Sequence, residues 1–124
     1  MVADWAPGDD PLPADVLRQV VTAVHAAGGR VAVHSQHAAG GAAAVEARVD
    51  SLEHGMCLDP DLLPVMAAQG IALTPTLSVI TDGLASVRQR PDGPRKDWYL
   101  AGATVHGQLA AADRKSTRLN SSHR

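Results

Sequence analysis

Two histidines set the chemical question. His34 closes the apolar run Val31-Ala32-Val33, and His54 closes Ser51-Leu52-Glu53 twenty residues later. One strand-to-strand repeat of that length puts both imidazoles at the C-terminal edge of adjacent parallel strands, where open α/β sheets and barrels gather ligands. Neutral imidazole is the commonest nitrogen ligand of zinc, so the pair points to metal ligation. Each histidine alone reads better as a hydrogen-bonded residue at a strand end; the pair on one edge brings metal ligation level with that reading. A hydrolytic zinc usually takes three protein ligands and keeps one position for water, so two histidines do not complete such a site. The local candidates for a third are weak. His37 follows His34 by three residues, where the chain turns toward a helix. Cys57 lies within reach of the same edge, but a lone cysteine is more often a small buried hydrophobe. His25 and His106 fall inside helical stretches.

Other chemistries find no support. There is no G-x-S-x-G elbow, Walker loop or H-E-x-x-H helix, and Gly28-Gly29 and Gly40-Gly41 do not make a dinucleotide fingerprint. Asp50 and Glu53 are three apart in a strand and face opposite ways, so they are no carboxylate pair. Glu53 reads as a structural residue, either pairing outside a barrel or orienting a neighbour. Trp5, Trp98 and Tyr99 are too scattered for a base-stacking platform.

The elements that must position His34 and His54 follow from the periodicity. Pro11 to Asp15 opens a helix, with proline and an acid in its first turn, and Val16, Val20, Val24 and Ala27 recur at helical spacing before Gly28-Gly29. Residues 30–34 read as a strand. Ala38 to Arg48 reads as an alanine-rich helix weakened by Gly40 and Gly41. Residues 50–54 are a second strand. Asp59 reads as an N-cap with Pro60 at the first helical position, the helix running to Gly70. Ile71 to Pro75 is a third strand. A Pro-, Gly-, Arg- and Asp-rich loop is expected from about Thr81 to Arg95, and a last helix from Asp97 to Ala112. Alternating strands and helices imply α/β architecture with a parallel sheet. Length alone favours an open doubly wound sheet, since a (β/α)8 barrel needs about 250 residues.

Composition narrows the partners. The 124 residues are 45% hydrophobic and 19% charged, with one cysteine and no phenylalanine. That composition excludes a disordered chain or a disulfide scaffold, and it makes a core of Val, Leu, Ile and Ala that is thin for a free-standing domain. No membrane segment or secretory leader is apparent, and the reading is cytoplasmic. Residues 1–112 carry seven basic and twelve acidic side chains, a balance that argues against nucleic acid. Arg114, Lys115, Arg118 and Arg124 make residues 113–124 basic. That tail has three readings: a functional arm, a disordered end, or a stretch foreign to the protein. Asp113 to His123 resembles the in-frame translation of a sequencing-adapter oligonucleotide, which favours the third and sets the domain at 1–112.

Residues 30–77 carry a resemblance. Val-Ala-Val-His34, Ala-Ala-Val-Glu-Ala at 43–47, Val-Asp-Ser-Leu-Glu-His54-Gly55 and Leu-Thr-Pro-Thr-Leu77 resemble the middle of the amidohydrolase superfamily. The most similar branch is the imidazolonepropionase-like and Xaa-Pro-dipeptidase-like metal-dependent hydrolases. The resemblance implies a partial (β/α)8 TIM barrel, about strands 4 to 7 with their helices, in which Val2-Ala3-Asp4-Trp5 is the tail of the fourth strand. It implies His34 and His54 as metal ligands ending the fifth and sixth strands, and a divalent cofactor, Zn2+, as one or two ions. It implies hydrolysis of an amide or cyclic amide C–N bond in a small-molecule or peptide-like substrate by a homo-oligomeric parent. The family's His-x-His pair, strand-four lysine and strand-eight aspartate are not in this chain; Lys96 is misplaced, and Gln36 stands where many relatives have a second histidine. The piece is therefore expected to be inactive alone. The competing reading is a small non-catalytic α/β binding or interaction module with structural histidines.

Overall fold

The computed structural model describes residues 1–4 and 10–112; the basic tail and Trp5 lie outside the described residues. The chain divides into two compact units, Met1–Pro75 and the residues from Thr76 on.

In the first unit helix and strand alternate: α1 (Ala14–Ala26), β1 (Ala32–Ser35), α2 (Ala38–Glu46), β2 (Ser51–His54), α3 (Leu62–Gln69) and β3 (Ala72–Thr74). The three strands form one parallel sheet in the order β1-β2-β3. Residues 1–3 extend it beyond β1: Val2 bridges His34 in parallel, Ala3 N–H donates to the His34 carbonyl at 2.9 Å, and His34 N–H donates to the Met1 carbonyl at 2.9 Å. Mixed α/β structure with parallel strands is therefore present as the periodicity implies.

The three helix exits are alike. Gly29 N–H reaches the Val24 carbonyl, Val49 that of Ala44, and Ile71 that of Met66, each paired with a bond of shorter sequence span from the residue before it. The residues at the bend, Gly28, Arg48 and Gly70, all have positive φ. These are Schellman closures, which satisfy the last helical carbonyls and turn the chain at once into the next strand.

One face of the sheet is dry. Val33, Ser35 and Leu52 are fully buried, and α2 packs against β1, β2, α1 and α3. Gly40 and Gly41 are buried within α2 rather than weak points in it: a Cβ at Gly41 would stand 3.3 Å from Leu58 Cδ1, and one at Gly40 would overlap the Asp4 carboxylate. The small residues let α2 approach the strands closely. The opposite face carries Ala32, His34, Ser51, Glu53, Ala72 and Thr74, all partly or fully exposed.

Two helix readings shift. The buried stripe of α1 is Leu17 and Val21, while Val16 is 38% exposed; Leu17 outcompetes Val16 because the larger side chain takes the core position. Helix α3 starts at Leu62, and Asp59 caps the preceding turn, its Oδ1 accepting the Asp61 N–H at 2.9 Å.

The second unit corrects the expected loop. Residues Leu77–Arg88 form α4, followed by α5 (Pro94–Gly102), which packs against it. Leu77, Ile80, Leu84 and Val87 recur at helical spacing, and this pattern prevails over the Asp82-Gly83 punctuation. Gly83 is where the Tyr99 ring of α5 seats, so the glycine serves packing rather than a turn. Lys96 joins the pair, its Nζ donating to the Arg90 carbonyl and Asp92 Oδ1 at 2.9 Å each and to the Arg88 carbonyl at 3.3 Å. The last helix also differs: α5 begins at Pro94, a turn at Ala103 interrupts it, and residues 104–112 are again helical.

Candidate metal centre

His34 and His54 come together. Their ring centroids are 4.7 Å apart, edge to face at 71°, at the C-terminal ends of neighbouring parallel strands. Plain strand pleating would not achieve this. The register pairs His34 with Glu53 and Ser35 with His54, and paired residues of a sheet share a face, so regular alternation would send the two imidazoles to opposite faces. His54, however, has φ 67. That left-handed backbone breaks the alternation at the last residue of β2 and redirects its side chain. Gly55 (φ 65) and Cys57 (φ 62) continue the same unusual conformation. Positive φ at non-glycine residues is costly and clusters at functional sites.

The electrostatics suit a nitrogen ligand. Burial holds the His34 imidazole below its ordinary value, and a charged His54 beside it pushes the same way while Asp4 opposes them. His34 therefore favours the neutral form, the one with a lone pair to give. The Nε2 atoms of His34 and His37 are both screened from solvent.

The other named residues fall as follows. His37 is the N-cap residue of α2. Cys57 is half-buried, and burial followed by the charge of Asp4 pushes its thiol up, which keeps it protonated at neutral pH and a poor metal ligand. His25 lies near the opposite end of the strands, with Nε2 2.7 Å from Asp50 Oδ2. His106 is wholly buried in the second unit. Among the described residues there is no group of three or more His, Cys, Asp or Glu able to hold a metal ion. By donor chemistry two neutral imidazoles this close together fit a divalent ion of the zinc type.

Glu53 shares the open face with His34 and accepts hydrogen bonds from the hydroxyls of Ser51 and, at 3.4 Å across the β2–β3 pairing, Thr74. These contacts are those of a residue that orients its neighbours, on the face of His34 and not on the side turned away from it. Asp4, only 4% exposed, is the buried carboxylate that the sequence pattern passes over. Its only sequence signal was its place in the apolar run Val2-Ala3.

No family model matches the chain. Uncharacterized proteins of Mycobacterium bovis and Mycobacterium tuberculosis are 35% identical to it, over 90% of this chain and 32% of each relative. The chain thus spans about a third of the length of the curated relatives it matches. Among solved structures, a Xaa-Pro dipeptidase with methionine bound in its active site superposes with a TM-score of 0.61 at 28% identity, over 90% of this chain and 27% of the other. The ochratoxinase of A. niger superposes with a TM-score of 0.69 at 27% identity, over 85% of this chain and 25% of the other.

Proposed function

We propose that this chain is part of a metal-dependent hydrolase of the amidohydrolase type, with His34 and His54 as two ligands of its metal. The observation that carries the reading is the approach of the two rings to 4.7 Å at adjacent strand ends. The Xaa-Pro dipeptidase and the ochratoxinase are amidohydrolase-type enzymes, the class that residues 30–77 resemble. The strand order supports a (β/α)8 barrel as the parent fold. Residues 1–3, β1, β2 and β3 follow one another in parallel without the reversal that marks an open doubly wound sheet. In that reading they are strands four to seven, and the polar open face with His34 and Glu53 looks into the barrel.

The division of labour follows from the side chains. His34, held neutral by burial, and His54, turned inward by its left-handed backbone, bind and orient the ion, which is zinc on the preference of imidazole donors. A divalent metal bound there supplies the Lewis acidity that makes water a nucleophile near neutral pH. The remaining ligands and the proton-transfer group come from the part of the parent that this chain does not span. The substrate is a small amide or peptide-like molecule.

Zinc titration of the chain tests the proposal. One equivalent is expected to bind, and His34→Asn or His54→Asn each to abolish binding, while His25→Asn leaves it intact. Zinc uptake indifferent to both substitutions overturns it in favour of a non-catalytic module with structural histidines. No turnover is expected from the chain alone.

A further inference from the structure

We infer that Asp4 is the positioning residue of His34, fixing the strand end from which that imidazole reaches the metal. The inference rests on the reading of His34 as a ligand and deepens it. The main chain of residues 1–3 brackets His34 through two hydrogen bonds, from Ala3 N–H to its carbonyl and from its N–H to the Met1 carbonyl. The Asp4 carboxylate then takes hold of the next two residues. Its Oδ2 accepts the Ser35 hydroxyl at 2.6 Å, and its Oδ1 accepts the Gln36 N–H at 2.6 Å. The hydroxyl of Ser35, itself fully buried, also accepts the His37 N–H at 3.4 Å.

Burying a carboxylate is unfavourable unless its oxygens are hydrogen-bonded, and bonds to an ionised acceptor are about twice as strong as neutral ones. Both oxygens of Asp4 are hydrogen-bonded. Gly40 of α2 completes the enclosure, since any Cβ there would overlap Asp4 Oδ2 and crowd Ser35 Oγ, 2.7 Å away. The carboxylate thus has one place to lie, and the chain around His34 is held on both sides. Aspartate at this point also lies near the start of α2, so a purely structural role as a helix-terminal acid is the alternative to be separated.

The test uses the full chain, labelled for imidazole proton–nitrogen spectra without metal and then titrated with Zn2+. Ser35→Ala removes the latch and keeps the charge, Gly40→Ala displaces the carboxylate, and Asp4→Asn removes the charge. Each is expected to shift or broaden the His34 ring signals while those of His25 stay put, and to weaken zinc binding about 10- to 100-fold, the usual effect of losing a ligand's outer partner. If Asp4→Asn fails to fold, the other two variants carry the test. His34 signals and zinc affinity unchanged in Ser35→Ala and Gly40→Ala overturn the positioning role; so does a loss confined to Asp4→Asn, which would be an effect of charge. His34 signals that respond in a chain whose zinc binding ignores His34 and His54 leave Asp4 as the positioner and sink the ligand reading instead.

Discussion

At the scale of single residues, the site depends on a backbone conformation that most side chains avoid. His54 and Cys57 adopt positive φ at non-glycine positions with Gly55 between them, and the cost of each is of order 1–3 kcal/mol. The surrounding fold must hold these residues in place, and Gly55 is where that support is most easily tested. Its φ is 65, and an added Cβ would stand 3.1 Å from Leu73 Cδ1 and 3.6 Å from Leu52 Cδ2. The leucine tip can yield, so the backbone penalty dominates. Gly55→Ala is expected to destabilise the chain by about 1–2 kcal/mol, the cost of a left-handed conformation for a residue with a Cβ. Urea unfolding measures it, and an unchanged midpoint with an unchanged slope would show that the turn is not strained in this way.

At the scale of elements, Asp50 joins a helix end to two strands. Its Oδ2 accepts the Val31 N–H at 2.7 Å and lies 2.7 Å from His25 Nε2 of α1, its N–H donates to the Val31 carbonyl, and its carbonyl accepts the Ala72 N–H at the start of β3. The hydrogen bond with His25, followed by that from Val31, holds the Asp50 carboxyl below its usual range. A depressed carboxyl pKa adds stability that is present above the unfolded value, about 3.9, and is lost as pH falls through the folded one. Asp50→Asn is therefore expected to lower stability most at neutral pH, with the gap to the native sequence closing below about pH 4. Denaturant unfolding at several pH values checks this, and a gap independent of pH would assign the loss to geometry alone. Much of this framework was legible in advance because each strand is a short apolar run with a punctuated helix behind it, and because a twenty-residue spacing sets His34 and His54 one strand apart. The left-handed turn at His54 was not legible: periodicity describes regular pleating, and the sequence marks the departure only by Gly55. Asp4 was hidden because a carboxylate in an apolar run carries no sign of the hydroxyl and amide that receive it from thirty residues away. Helix α4 was missed because Gly83 looks like a turn until Tyr99 is seen against it.

At the scale of the whole molecule, the sheet of the first unit has three strands among the described residues, and β3 is an outer one. Its residues Ala72 and Thr74 are exposed, as is Ala32 on the same face. Outer strands offer unpaired N–H and C=O groups to any other chain, and natural sheets protect them with charge, proline, bulges or cover. Pro75 ends β3, but β3 itself carries no charged side chain. The curated relatives are about three times as long as the stretch they share with this chain; on the proposed reading their further strands cover this edge and face. The chain by itself is then expected to self-associate, its sedimentation-derived mass rising with concentration from about 1 μM to about 1 mM, the range in which exposed edges aggregate. Ala72→Lys places a charge on the outer strand without touching the dry face, and is expected to lower that mass while leaving the circular dichroism spectrum unchanged. A monomer across the whole range would mean that the edge is protected within this chain, and it would remove the support that an open sheet gives to the barrel reading while leaving the approach of His34 and His54 to be explained on its own.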